Sequence, residues 1–263
     1  MTAPLHPVPG SPEELAAFEK LQATTAALYH ALSADPRAPQ DVVVVPSLSL
    51  DRRELEKLSG VYHYEERMLV NLMLLRQPRT RMIFVTSQQL DPVVVDYYLA
   101  LLPGIPSSHA RSRLILLHCG DASSDPLSDK ILRRPRLIQR IKSELRTPNR
   151  AHLVCFNSTP RERTLAVRLG LPLHSVDPAL ADLGTKSGCR EVFREAEAPM
   201  PFGFERLRTH DDIARALAEV KRYDPETRRA VVKLNDGFSG EGNAVFRMED
   251  LDGTASVLSL IHI

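Results

Sequence analysis

Four short apolar runs set what this chain can fold into: Val42–Val45, Met82–Val85, Leu114–Leu117 and Leu153–Phe156. Each is too short for a buried helix and suits a strand covered on both faces. Between and after them the apolar residues take helical spacing, over Arg52–Arg76, Asp91–Leu102, Pro126–Leu145 and Pro160–Leu169. Strands alternating with helices in this way predict a doubly wound, mainly parallel α/β sheet. One more helix is expected ahead of the first strand. Ser11 is its N-cap, Pro12 and two acids fill its first turn, and Leu15, Phe18, Leu21, Leu28 and Leu32 share a face. The polar stretch Ser33–Gln40 ends it.

In such sheets ligands collect at the carboxyl ends of the strands. Here those ends are Ser47, Thr86–Gln88, His118–Asp121 and Asn157–Thr159, all small or polar. Singly they serve as helix caps and turns; as a set they mark the face where a substrate would sit. The loop Leu102–Arg111 carries His109 and Arg111, which fit a carboxylate-binding loop or a surface excursion equally. Glu65, Glu66 and Arg67 fit a solvated helix face.

Composition removes several function classes. A net charge of +1 gives no overall pull toward nucleic acid or anionic membrane. The basic run Arg133–Arg150 keeps Leu137, Ile138, Ile141 and Leu145 on one stripe, so its charges fall on the outside of an amphipathic helix. RNA binding through that run is a third reading, and it would show a steep salt dependence. No apolar run approaches a membrane span, and Met1–Glu14 lacks an export signal. Cys119, Cys155 and Cys189 fit neither a disulfide framework nor a zinc spacing, so a reduced, cytoplasmic protein is expected.

The second part of the chain, from 179 to 257, follows a boundary at Pro172–Pro178. Thr185 is a good N-cap for a helix ending before Pro199, which puts Lys186 in the first turn. A cation there opposes the helix dipole, an arrangement that suits a bound anion or costs an exposed lysine a few tenths of a kcal/mol. Further on, Ala230–Leu234 is a β-prone run. It leads into Asp236–Asn243, with Gly237, Gly240 and Gly242, and the chain returns to apolar residues at Ala244–Phe246. The spacing G-x-x-G-x-G between two strands is neither a dinucleotide turn nor a P-loop. It leaves either a glycine-rich hairpin able to close over phosphates with Lys233 beneath it, or an ordinary hairpin with a solvated lysine.

The order of these parts resembles the ATP-grasp superfamily of carboxylate–amine ligases. Tyr64–Arg67, Leu75–Arg79, Val85–Gln88, Asp96–Tyr98, Leu102–Gly104, Ser108–Arg111 and Gly120–Ala122 are similar to segments of the pheganomycin-type peptide ligases. So are Leu183–Cys189, Val232–Asn235 and Ser239–Asn243. The likeness implies a pre-ATP-grasp domain over 1–178 and the first α+β subdomain of an incomplete ATP-grasp domain over 179–257. By that likeness Lys186 and Lys233 bind ATP phosphates, and Gly237, Ser239, Gly240, Glu241, Gly242 and Asn243 form the closing phosphate loop. The implied chemistry is phosphoryl transfer from ATP, with Mg²⁺, to a substrate carboxylate, giving an acylphosphate that a small amino acid or peptide amine attacks. No nucleic-acid or membrane partner is expected. A non-catalytic nucleotide- or metabolite-binding module on the same sheet is the alternative.

Such ligases hold the nucleotide between two subdomains, and the second supplies the metal ligands and much of the adenine pocket. Nothing after Phe246 matches it. The last six residues, Leu258–Ile263, equal one reading frame of a transposon mosaic-end sequencing adaptor. The expectation is a non-native tail on a truncated chain that is inactive by itself.

Overall fold

The computed structural model describes residues 6–50, 55–56, 59–236 and 243–248. The chain divides into two compact units, Met1–Pro178 and Ala179–Ile263.

The first unit is built on a four-stranded parallel sheet of β1 (Gln40–Val45), β2 (Thr80–Thr86), β3 (Leu114–His118) and β4 (Ala151–Cys155). The strand order is β3-β2-β1-β4, with every neighbour parallel. Alternate residues face opposite layers, as the strand period requires. Val43, Val45, Ile83 and Val85 pack with Phe18, Leu127, Ile131, Ile141 and Leu165. Val42, Val44, Met82 and Phe84 pack on the other side with Leu69, Leu72, Leu75, Val95 and Leu99. Both faces of β1, β2 and β4 are therefore covered, which is why they read as unbroken apolar runs; the edge strand β3, expected to be covered likewise, leaves Leu116 exposed.

Among the described residues this unit holds α1 (Pro12–Gln22), α2 (Thr25–Ala34), α3 (Pro92–Ala100), α4 (Ser107–Arg111), α5 (Leu127–Leu132), α6 (Pro135–Glu144) and α7 (Pro160–Leu169). Helix α7 has the expected bounds. Thr159 and Glu162 form a reciprocal capping box at its start, and Gly170, with φ 73°, ends it in the left-handed region.

Three sequence expectations are corrected. The first helix is two, because the Thr24 hydroxyl donates to the Leu21 carbonyl (2.6 Å) and draws the chain out of the helical ladder. The helix expected over Pro126–Leu145 is also two. Pro135 has no N–H, and the residue before it, Arg134, is forced out of helical geometry (φ −121°, ψ 77°). The third case is the stretch before β2, where Val61–Arg76 winds as 3-10 turns. Its buried leucines, Leu69, Leu72 and Leu75, are spaced by three, so they align on one face at three residues per turn. The loop holding His109 and Arg111 contains the short helix α4, and Arg111 pairs with Asp96 of α3.

The second unit carries α8 (Lys186–Glu195), α9 (His210–Tyr223) and an antiparallel pair, β5 (Arg229–Lys233) with β6 (Asn243–Arg247). Ala230, Val232 and Phe246 turn inward against Ile213, Ala214, Leu217 and Val220 of α9 and against Met248. Arg229, Val231 and Lys233 occupy the exposed positions of β5. The proposed tail, Leu258–Ile263, lies outside the described residues.

Candidate functional site

Thr185 caps α8 as expected, its side chain accepting the Gly188 N–H (3.0 Å). Lys186 is the first residue of the helix and is exposed. Its N–H donates to the Asn235 carbonyl (3.1 Å), and the Ser187 N–H donates to Asn235 Oδ1 (2.8 Å). The first three N–H groups of α8 are therefore taken by protein acceptors. An anion beside Lys186 would meet its ammonium and the field of the helix rather than bare backbone donors.

Asn235 stands two residues beyond Lys233 at the end of β5. The structure thus ties the helix that begins with Lys186 to the strand that ends with Lys233. Lys233 is exposed and lies opposite Asn243 in the strand register. Gly237, Ser239, Gly240, Glu241 and Gly242 lie outside the described residues.

Gly188 shows how tightly α8 starts. A Cβ there would sit 2.0 Å from the Asp182 carbonyl oxygen. Arg206 then braces the same turn. Its guanidinium bonds both carboxylate oxygens of Glu191 (2.6 and 2.7 Å) and reaches Asp182 (2.7 Å), while its N–H donates to Ser187 Oγ (3.1 Å).

The first unit holds a second polar centre at the carboxyl ends of its strands. Ser87, fully buried at the end of β2, donates its N–H and its hydroxyl to Glu65 (2.6 and 2.5 Å). Lys130 of α5, 1 % exposed, donates to Ser87 Oγ (2.9 Å), Asp121 O (3.1 Å) and Ser123 O (2.7 Å). Glu65 is therefore buried, not on a solvated face, and Lys130 is a member that spacing alone did not reveal. Only the buried stripe of α5, which includes Ile131, could have hinted at it. Beside the pair is a cavity of about 20 Å³, lined by Leu48, Leu55, Tyr62, Ser124 and Leu127, with room for one water molecule.

The ends of β1 and β4 turn to one another, while at the end of β3 His118 and Gly120 are exposed. Ser47 and Ser49 share a hydrogen bond (2.8 Å), Ser49 donates to Glu162, and Asn157 Oδ1 accepts the Ser49 N–H (2.8 Å). These groups satisfy one another, so the ends of β1 and β4 seal the sheet more than they present open donors. Part of the basic run is likewise occupied, Arg133 by Asp125, Arg134 by Asp121 and Arg140 by Glu144.

Burial pushes the Glu65 carboxyl up from 4.5 to about 7, against the pull of its Ser87 hydrogen bonds and the Lys130 charge. An acid raised in the folded state stabilises it fully below its unfolded pKa, and that contribution is lost as pH rises through the folded value. Glu65→Gln does not titrate. Relative to Glu65→Gln, the native protein should therefore lose about 3 kcal/mol of stability between pH 4.5 and 7. Urea unfolding of both across that window checks it; a pH-independent difference would show that Glu65 does not titrate in the fold.

Two kinds of relative match the chain. Residues 178–262 match the family described as IQCH-like, ATP-grasp. The L-propargylglycine–L-glutamate ligase of Streptantibioticus cattleyicolor is 28% identical over 233 residues, covering 83% of this chain and 48% of the ligase. Residues 178–262 are thus similar to an ATP-grasp family. The IQ motif-containing protein H of Danio rerio is 25% identical over 224 residues, 79% of this chain and 21% of that protein. The chain thus spans about half the length of the first relative and about a fifth of the second.

Two exposed lysines on tied elements suit a polyphosphate. Among the described residues no group of three or more His, Cys, Asp or Glu side chains converges as a metal site.

Proposed function

We propose that the full-length gene product is an ATP-dependent ligase joining a small carboxylate substrate to an amino acid or peptide amine. The observation that carries this reading is the tie through Asn235 between the start of α8 and the end of β5, in a stretch that matches an ATP-grasp family. Lys186 and Lys233 would hold the phosphates of ATP as two point charges. Bound ATP supplies the phosphoryl group that turns the substrate carboxylate into an acylphosphate open to attack by the amine. The protein's share is positioning and charge neutralisation. The ligase relative is named for joining two amino acids, which supports small-molecule substrates for this chain.

A second reading is favoured by the IQ motif-containing relative, whose name states no ligase activity. On that reading the chain is a nucleotide- or metabolite-binding module. Incubating the full-length gene product with ATP, Mg²⁺, candidate amino acids and hydroxylamine separates the two, because an acylphosphate is trapped as a hydroxamate. We expect hydroxamate to form, and Lys233→Ala to reduce its rate at limiting ATP by about 100-fold. ATP binding without hydroxamate supports the module. Unchanged kinetics in Lys233→Ala removes Lys233 from the site.

A further inference from the structure

A helix leaves its first N–H groups without partners inside the helix, and water or a capping side chain normally meets them. At α8 Thr185 takes the third, and Asn235 takes the first two, one through its carbonyl and one through Oδ1. Asn235 is not part of the helix or its cap. It belongs to the exit of β5, and its two bonds join elements that lie far apart in sequence.

The helix side of this joint is held in turn. Ser187 is 6 % exposed, and its hydroxyl accepts the Arg206 N–H (3.1 Å). Arg206 has φ 55°, a left-handed backbone that a long side chain adopts only when its surroundings dictate it. The surroundings here are Ser187 at its N–H and Asp182 and Glu191 at its guanidinium. The start of α8 is thus fixed by Asn235 on one side and by Arg206 on another, while the Lys186 side chain itself remains exposed.

We infer that Asn235 is a positioning residue that sets the separation of Lys186 and Lys233 so that both reach one polyphosphate. This rests on the ATP reading above and names a residue that reading does not need. Asn235 acts through the two lysines. Its carbonyl bond to Lys186 survives any side-chain change, so the Oδ1 bond to Ser187 is the part a substitution can probe. Without it the first turn of α8 can pivot about the remaining bond, and Lys186 is held less firmly to the strand that ends with Lys233.

The test measures ATP binding by calorimetry in the full-length gene product, with hydrogen exchange at the Ser187 amide as a second readout that needs no nucleotide. Asn235→Ala should weaken ATP binding about tenfold and speed exchange at Ser187. Lys186→Ala and Lys233→Ala should each weaken ATP binding in the native background. In the Asn235→Ala background the further loss from Lys233→Ala should be several-fold smaller, because the two charges no longer act together. A merely structural Asn235 would lower the melting temperature and leave that ratio unchanged, which overturns the inference. Equal ATP affinity in Asn235→Ala and native protein, with both lysine variants impaired, also overturns it and leaves the ATP reading standing. Lysine variants that bind ATP as the native protein does would overturn the ATP reading and this inference with it.

Discussion

Gly188→Ala is expected to destabilise the second unit by at least about 3 kcal/mol and, on the ATP reading proposed above, to abolish ATP binding at ambient temperature. The added methyl would lie 2.0 Å from the Asp182 carbonyl oxygen, 2.8 Å from its carbon and 3.0 Å from Leu183 Cα. All three are backbone atoms, so no side chain can swing away. Either α8 lifts from the Asp182–Leu183 backbone, or that backbone moves and takes the Asp182 contact to Arg206 with it. Both movements break the joint that carries Lys186. Gly184→Ala is the matched control, since its Cβ would meet nothing within 4 Å. Denaturant unfolding and ATP calorimetry of the two variants decide it. A Gly188→Ala protein as stable as Gly184→Ala would mean that α8 does not start against Asp182.

Lys130→Met should cost the first unit about 3–5 kcal/mol, the range for breaking a buried, hydrogen-bonded charge by removing one partner. Methionine matches the length of the lysine stem, so little packing volume changes. What disappears is the donor to Ser87 Oγ, Asp121 O and Ser123 O, together with the positive charge beside Glu65. Adding Glu65→Gln to Lys130→Met should return part of the loss, because without Lys130 the Glu65 carboxyl is held protonated in the fold while it ionises in the unfolded chain at pH 7, and that cost is then gone. Chemical unfolding at pH 7 measures both steps. A loss below about 1 kcal/mol would show that Lys130 reaches water rather than Ser87.

The two variants probe centres that were legible in the sequence to different degrees. Thr185, Lys186 and Lys233 stood out from local chemistry, a cap before a helix and a lysine before a glycine-rich turn. Asn235 did not, because its meaning lies in bonds to residues remote in sequence. Glu65 was misplaced by the same limit. Its neighbours in sequence, His63, Glu66 and Arg67, are polar, and only the packing of the 3-10 segment against β2 brings it to Ser87. Gly188 drew no notice within the run from Thr185 to Cys189, since a close approach between backbones leaves no mark in residue type.

By itself the sequence determined the parallel sheet and its strand positions, since strands buried on both faces demand unbroken apolar runs. It also determined the cap of α8 and the helix bounds at Pro160–Leu169, which proline, glycine and capping chemistry fix locally. Tertiary structure alone decided the strand order β3-β2-β1-β4, the burial of Glu65 with Lys130, and the joint at Asn235. These depend on which distant groups lose water together. A hydrogen bond between remote residues gains its strength only once the core around it has excluded solvent.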